Sequence, residues 1–335
     1  MEITKKEIYN HYIALDWSQE IVAAASISSP GSKVDICTIH PDIRFIKDYL
    51  KKHIGKKILT LEETTTSHWL YVELRDSVDK ILVCNPYRNS LMKDGPKTDK
   101  IDAGNLCLLL RSGMLKEVFH SMDKSYELRK LVSAYEDFTN SSTRFKNQRS
   151  SIFRSEGKNH KKEIILSESN IKKFITEKHN LAIEHITAIR KEFEQMFKKI
   201  SRGNKILRQL ENVSGLGTKL AITIYAQVID ANRFENKYKY YAYCGLVKHQ
   251  KKSGGRDYGS RNVKHNKILK RTYKTAAIAA IRGNNDIREY YEYLLQNNTS
   301  IEKARNEIAR YIAKVSYAII KNKTDYRSYQ WRESK

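Results

Sequence analysis

Five carboxylates in the first third of the chain are of the type and spacing that metal-dependent phosphate chemistry uses. Asp16 ends the apolar run Tyr12–Asp16. Glu62 and Glu63 stand at the end of the run that begins at Lys57, and Asp99 and Asp102 lie three apart in Lys97-Thr98-Asp99-Lys100-Ile101-Asp102-Ala103. Hard divalent cations such as Mg²⁺ or Mn²⁺ take oxygen ligands and need few of them from the protein. On a helix, positions three apart share a face, so Asp99 and Asp102 can address one ion. Two such ions about 4 Å apart would bind the attacking and the leaving oxygen of a phosphodiester. Singly, each acid is commonplace: Asp99 could cap a helix, and Asp16 could simply turn the chain. The pattern gains force only if one fold gathers the acids.

The elements that would gather them are legible. Tyr12–Asp16, Ile21–Ile27 and Lys33–Ile39 read as strands, the last two split by Ser28-Ser29-Pro30-Gly31. Ile43–His53 has helical spacing, Lys57–Glu62 reads as a strand, Ser67–Val78 as a helix, Lys80–Cys84 as a strand stopped by Asn85-Pro86, and Ile101–Leu115 as a mostly buried helix. The order β-β-β-α-β-α-β-α is that of a ribonuclease H-like fold. All four prolines fall within the first 96 residues, and the 239 that follow have none, which suits long helices. The predicted class is α/β followed by all-α.

Charge separates the same regions. The 335 residues carry 62 Lys and Arg against 38 Asp and Glu, a net +24. Residues 201–335 hold 28 of the basic and 11 of the acidic residues, a net +17, against +7 for residues 1–200. Such an excess calls for a polyanionic partner. No run approaches the roughly 20 apolar residues of a membrane span, and the polar stretch Met1–Asn10 does not read as a signal peptide. Nucleic acid, rather than a membrane, is therefore the expected partner. Cys37, Cys84, Cys107 and Cys244 sit among apolar neighbours without zinc spacing. They read as buried thiols of a reducing, cytoplasmic and nucleoid-associated protein.

Three parts are expected: an α/β domain over 1–120, a helical connector over 121–205 and a basic helical domain over 206–335. In the connector, Ile186, Ile189, Phe193, Met196 and Ile200 form a coiled-coil-like seam, for a helix of the same chain or of a second copy. Gly157-Lys158-Asn159-His160 reads as the turn between two long helices. In the last part, Gly215-Leu216-Gly217 leads into a helix over Lys219–Ile229. This has the look of a helix-hairpin-helix element, whose backbone N–H groups hold a phosphate without reading bases. The stretch from about Lys248 to Asn266 reads as an irregular insert. Lys248, Lys251, Lys252, Arg256, Arg261, Lys264, Lys267, Lys270, Arg271 and Lys274 crowd residues 248–274 beside one acid, Asp257. Phosphates of DNA or RNA would neutralise them, with an affinity that falls steeply with salt.

Ile13-Ala14-Leu15-Asp16-Trp17-Ser18, Glu63-Thr64-Thr65-Thr66-Ser67-His68-Trp69, Asn85-Pro86 and Lys97-Thr98-Asp99-Lys100-Ile101-Asp102-Ala103 resemble the DEDD, RuvC-like domain of IS110-family transposases and of Piv-type DNA invertases. The resemblance continues through Gly245-Leu246, Ser253-Gly254 and the basic stretch beyond. It implies a tetrad of Asp16, Glu63, Asp99 and Asp102, holding two ions of Mg²⁺ or Mn²⁺, with Glu62 as the other register. It further implies a serine nucleophile at Ser253, Ser260 being the alternative. A serine hydroxyl needs a base, a metal or a strongly positive setting to attack, and the surrounding Lys and Arg with the acid-held ions would supply one. Thr66 stands where the family pattern has Gly, and Asn262 and His265 stand where Ser and Gly are common. The function implied is a DNA transposase that cuts and rejoins strands. Its partners would be DNA, a non-coding guide RNA and a second copy of the chain, forming a homodimer or higher oligomer through the helical connector. The competing expectations are a Piv-type invertase, a RuvC-like junction nuclease and a domesticated nucleic-acid-binding protein without activity.

Overall fold

The computed structural model describes residues 8–86, 98–121, 125–159, 169–262 and 264–328. Met1–Glu7, Lys97, His160 and Arg261's side chain thus lie outside what is described. The chain divides into two compact units, Met1–Met122 and Asp123–Lys335.

The first unit is a mixed sheet with helices on both faces. Strands β1 (His11–Trp17), β2 (Val22–Ser28) and β3 (Asp35–Ile39) pair antiparallel, while β4 (Lys57–Glu62) and β5 (Lys80–Cys84) continue the sheet parallel to β1, in the order β3-β2-β1-β4-β5. These elements, with helices α1 (Ile43–Lys51), α2 (Ser67–Leu74) and α3 (Asp99–Ser112), fall in the order expected from the sequence. The central strands are buried on both faces, which explains their continuous apolar runs. Ile13, Leu15, Leu59 and Leu61 pack with Ile46 and Leu50 of α1 and Leu70 and Leu74 of α2. Ala14, Ala25 and Ile58 pack with Ala103, Leu106 and Cys107 of α3. The small Ala23–Ala25 run lets α3 lie close, and a Cβ on Gly104 would come within 3.3 Å of Ile36 Cδ1.

Helix α3 starts with the Thr98 hydroxyl accepting from Ile101 N–H at 3.3 Å and ends at left-handed Gly113, φ 72°. The Cys107 thiol, its pKa pushed up to about 12 by burial, donates to the Tyr12 carbonyl at 3.1 Å. The Arg111 guanidinium reaches the Gly31 carbonyl. These two contacts fix α3 antiparallel to β1. Cys37 departs from expectation: three cysteines are buried, but Cys37 is exposed, because β3 is the sheet's edge strand.

The second unit is helical with one hairpin. Helices α4 (Ser125–Arg154) and α5 (Asn170–Arg202) pack on each other, and α6 (Lys205–Glu211), α7 (Thr218–Val228), α8 (Lys237–Tyr243), α9 (Lys267–Arg282), α10 (Asp286–Gln296) and α11 (Ile301–Asn322) belong to the same unit. The α5 seam packs on α4, Tyr135 meeting Phe197 with ring centroids 5.3 Å apart. Met196, expected in that seam, is 47% exposed, and Phe197, at 2%, takes its place. Counted from Ile186, eleven residues make just over three whole turns, whereas ten fall short of the face. The core beyond is shared by Ile222 and Ile224 of α7, Tyr273 and Ala276 of α9, and Ile312 and Ala313 of α11.

The stretch after α8, expected to be irregular, is an antiparallel hairpin of β6 (Lys248–Ser253) and β7 (Arg256–Asn262). Every residue of β6 is exposed, so no apolar alternation marks it. Among the described residues, no helix is long and apolar enough to cross a membrane.

Candidate functional site

In the first unit the acids collect at the carboxyl ends of the strands. β1 and β4 pair with Leu15 opposite Leu61, so the next residues, Asp16 and Glu62, occupy adjacent rows. Side chains alternate along a strand. Asp16 therefore takes the side of Ala14, and Glu62 the side of Ile58, both of which lie in the layer under α3. Glu63 is one residue past the strand and exposed, its N–H bonded to the Cys84 carbonyl at 2.9 Å. From Cys107, which sits over Tyr12, the helix back to Asp99 spans about 12 Å. The strand from Tyr12 to Asp16 spans about 13 Å. Asp99 is thus level with Asp16, and Asp102 lies one turn nearer the sheet's middle; Asp99 is exposed and Asp102 half-buried. Among the described residues, no three His, Cys, Asp or Glu side chains gather closely enough to hold an ion.

Aromatic groups that the sequence reading left unassigned surround the same strand ends. Trp17, next to Asp16, meets Trp69 of α2 edge-on with centroids 5.8 Å apart. His68 stacks on His120 at 6.2 Å, and His120 Nε2 lies 3.4 Å from the Ser67 hydroxyl. His120 arrives on a segment that continues the sheet beyond β5, with Glu117 bridging Cys84 and Val118 N–H donating to the Val83 carbonyl at 2.7 Å. These partners come from elements far apart in sequence, so only their meeting in the fold relates them.

In the second unit, Ser253 pairs with Arg256 across Gly254-Gly255, whose φ values are 55° and 77°. Two left-handed residues make the type I′ turn that suits a two-residue hairpin. Gly-Gly was the signal available for it. The hairpin lifts Ser253, Lys251, Lys252 and Arg256 into solvent. Ser260, within β7, pairs with Gln250, and Gly259, φ 81°, sits in the register shift between them and the turn.

The hairpin's base is pinned. Asn266 donates from its backbone to the Tyr243 carbonyl and from Nδ2 to Gln227 Oε1, both at 2.8 Å. His265 packs so tightly on left-handed Gly245, φ 66°, that a Cβ there would meet the ring at 2.4 Å. Lys264 is exposed just before this base.

Helix α9 buries Leu269, Tyr273, Ala276 and Ala280 and turns Lys267, Lys270, Arg271 and Lys274 toward an open groove. Burial first, then the like charges of Lys274 and Lys248, pull the Lys270 ammonium below the usual lysine range.

Gly215 and Gly217 differ in what they do locally. Gly215, φ 87°, lies so close to α9 that a Cβ would come within 2.3 Å of the Ala276 carbonyl oxygen. Gly217 caps α7 without a side-chain hydrogen bond, and a Cβ there would meet nothing within 4 Å. The first is demanded by packing, and the second leaves the helix start open.

Comparison with known proteins joins the two units. Residues 13–155 match a family model described as transposase, of the DEDD type of the IS110 group, and residues 207–292 match the model of the transposase IS116/IS110/IS902 family. The chain belongs to the IS110 family of transposases. The chain is also 21% identical over 140 residues to the transposase for insertion sequence element IS1111A of Coxiella burnetii (strain RSA 493 / Nine Mile phase I); the match covers 41% of this chain and 38% of that protein's own length. The first family match contains Asp16, Glu62, Glu63, Asp99 and Asp102; the second contains the hairpin with Ser253 and the basic face of α9.

Proposed function

We propose that this IS110-family protein is a DNA transposase that cleaves and rejoins strands, using a RuvC-like DEDD unit and the serine hairpin of its helical unit. The observation that carries the reading is the strand register that brings Asp16 and Glu62 into adjacent rows under α3. A sheet of three antiparallel strands continued by two parallel ones supports a ribonuclease H-like fold. The donor set fits a hard divalent ion in kind, carboxylates at one end of one sheet. Asp16, Asp99, Asp102 and one of Glu62 and Glu63 would hold it, the register favouring Glu62. Bound there, Mg²⁺ or Mn²⁺, as one ion or two, would stabilise charge on a phosphodiester's oxygens.

The nucleophile we assign is the Ser253 hydroxyl. It attacks a phosphorus of the DNA backbone, a P–Oγ bond forms, one sugar oxygen leaves, and the serine proton ends on that oxygen. Attack by the hydroxyl of an incoming strand reverses the step and conserves the bond. Exposure of Ser253 on a glycine turn among Lys251, Lys252 and Arg256 supports the role, because the cations favour the developing negative charge. Ser260 is also exposed but pairs with Gln250 within β7, away from the glycine turn.

Phosphate contacts fall to Lys248, Lys264, the cationic face of α9 and the α7 start behind Gly217, which we read as helix-hairpin-helix-like. Arg261 is assigned the same role from its place in the basic run. A guide RNA is the second polyanion in this reading, for which the net +24 leaves room. Ile171, Phe174 and Leu181, all more than half exposed on α5, suit association with a second copy.

A cell-based transposition assay tests the core of the reading. Asp102→Ala and Ser253→Ala should each abolish excision and insertion, and retention of both activities by either variant would overturn that residue's role. Sequencing the nucleic acid that co-purifies with the protein tests the guide: a discrete small RNA supports it, and random fragments refute it.

A further inference from the structure

One acid sits where the basic surface of the second unit has most to gain from an anion. Glu136, on α4, has a side chain only 16% exposed. Its Oε2 lies 2.5 Å from an Arg271 terminal nitrogen on α9, and its Oε1 lies 3.6 Å from Lys219 Nζ at the start of α7. Lys219 Nζ also stands 4.5 Å from the centroid of the Tyr135 ring, which holds the ammonium in place. Between the three helices is a small cavity of about 190 Å³, lined also by Thr139, Asn140, Thr223 and Thr275. Two cations share one carboxylate there. The local charge is still positive, and Lys267, Lys270 and Lys274 continue it along the same face of α9.

The cations of these pairs are 36% and 54% exposed, so solvent screening leaves the pairs little stabilising weight. Holding α4 to the bundle is also the work of its apolar residues: Val132 and Tyr135 are 2% exposed in the shared core. What Glu136 does is fill the anion place between an arginine and a lysine. A phosphodiester oxygen can take the place of the carboxylate in both contacts, the charge-assisted hydrogen bond from Arg271 and the ion pair with Lys219. The Lys219 end of the pair lies two residues past the open cap at Gly217, so a backbone reaching that helix start meets the clamp at once.

We propose that Lys219 and Arg271 form a phosphate clamp for nucleic acid, and that Glu136 is its built-in occupant, displaced when a backbone phosphate enters. The inference rests on the nucleic-acid reading above and adds to it a regulated contact. The carboxylate keeps both cations ordered in the free protein and lowers non-specific affinity, because each binding event must first break the internal pair.

The test is the affinity of the full-length protein for a labelled DNA duplex and, in parallel, a labelled RNA hairpin, across a salt series. Glu136→Gln should bind one or both probes roughly five-fold tighter at fixed salt, with a log-affinity slope against log salt steeper by about one. Glu136→Asp keeps the charge but withdraws it from Arg271, and it should gain affinity by less. On a Lys219→Gln, Arg271→Gln background the gain should vanish. The probe that gains more identifies the polyanion that uses the clamp. Unchanged or weaker binding of both probes by both Glu136 variants overturns the proposal and leaves the nucleic-acid reading standing. A wild type that binds neither probe overturns both.

Discussion

Two of the protein's antiparallel hairpins, β1–β2 and β6–β7, are built from opposite materials. In β1 and β2 the residues Val22–Ile27 are all buried, between α3 on one face and α1 and α2 on the other. In β6 every residue is exposed, and half of its six residues are lysines. The first hairpin's conformation is fixed by packing, so the residue at its end, Asp16, is presented by a rigid scaffold. The second is held at its base by Asn266, Gln227 and Tyr243 and shaped at its tip by two glycines. Carboxylates that must share an ion need positions fixed to fractions of an ångström. A serine and lysines proposed to follow a DNA backbone would tolerate, and use, a looser mount. The difference predicts that perturbations of the first region act on chemistry alone, whereas those of the second, Ser253 apart, act through nucleic acid.

The largest effect that would break this comparison concerns the rigid strand ends. Glu62→Gln and Asp102→Asn should each lower strand cleavage by about 10²–10³-fold or more, the scale of losing one preorganised charge at a reacting phosphate. Glu63→Gln should cost less than about tenfold, because it removes a group outside the paired row. Both are read in a cleavage assay on purified protein with a DNA substrate. Chelating divalent ions in the same assay should abolish cleavage yet leave salt-dependent DNA binding in place. If Glu63→Gln is the more damaging of the two glutamate variants, the register argument fails and the exposed residue is the ligand.

Glycines sharpen the contrast at the level of stability. Gly215 and Gly254 both have positive φ, 87° and 55°. Gly215→Ala must also drive a Cβ into the Ala276 carbonyl of α9. It should destabilise the protein by about 2–4 kcal/mol, combining left-handed strain with overpacking, seen as an earlier thermal transition. Gly254→Ala has open space around its Cβ, and its strain of about 1–2 kcal/mol falls on the hairpin tip alone. The global transition should stay put, and Gly254→Asn, which tolerates this conformation, should behave as wild type. A large shift in melting for Gly254→Ala would mean that the hairpin is part of the core after all.

The same contrast explains what could be read from sequence. The eight elements of the first unit follow from apolar runs and from Pro and Gly punctuation, because both faces of the sheet are buried and say so in composition. The polar hairpin has no such pattern; its only local mark is Gly254-Gly255, and Lys248–Ser253 reads as loop by every hydrophobic criterion. The α5 seam was legible except at Met196 and Phe197, two apolar neighbours between which only the drift of the helix decides. The acids were legible as types, but their relative placement was not, since the pairing of Leu15 with Leu61 is a non-local fact. Glu136 carried no signal at all. A glutamate within a 30-residue helix means something only when α7 and α9 deliver Lys219 and Arg271 to it.

The smallest expected effect tests the looser mount itself. Lys251 and Lys252 lie in β6, exposed on a hairpin whose tip carries the serine. Replacing both with Gln removes two cations without touching a packed residue, so the thermal transition should not move. If they track the DNA backbone, the slope of log affinity against log salt should become shallower by about two, one for each phosphate that is no longer neutralised. Sequence preference should be unchanged, because phosphate groups carry no base information. An unchanged slope would place the phosphate-binding cations wholly on α9 and the start of α7. The hairpin would then be a carrier for Ser253 alone, with its lysines serving to raise the local potential around that hydroxyl.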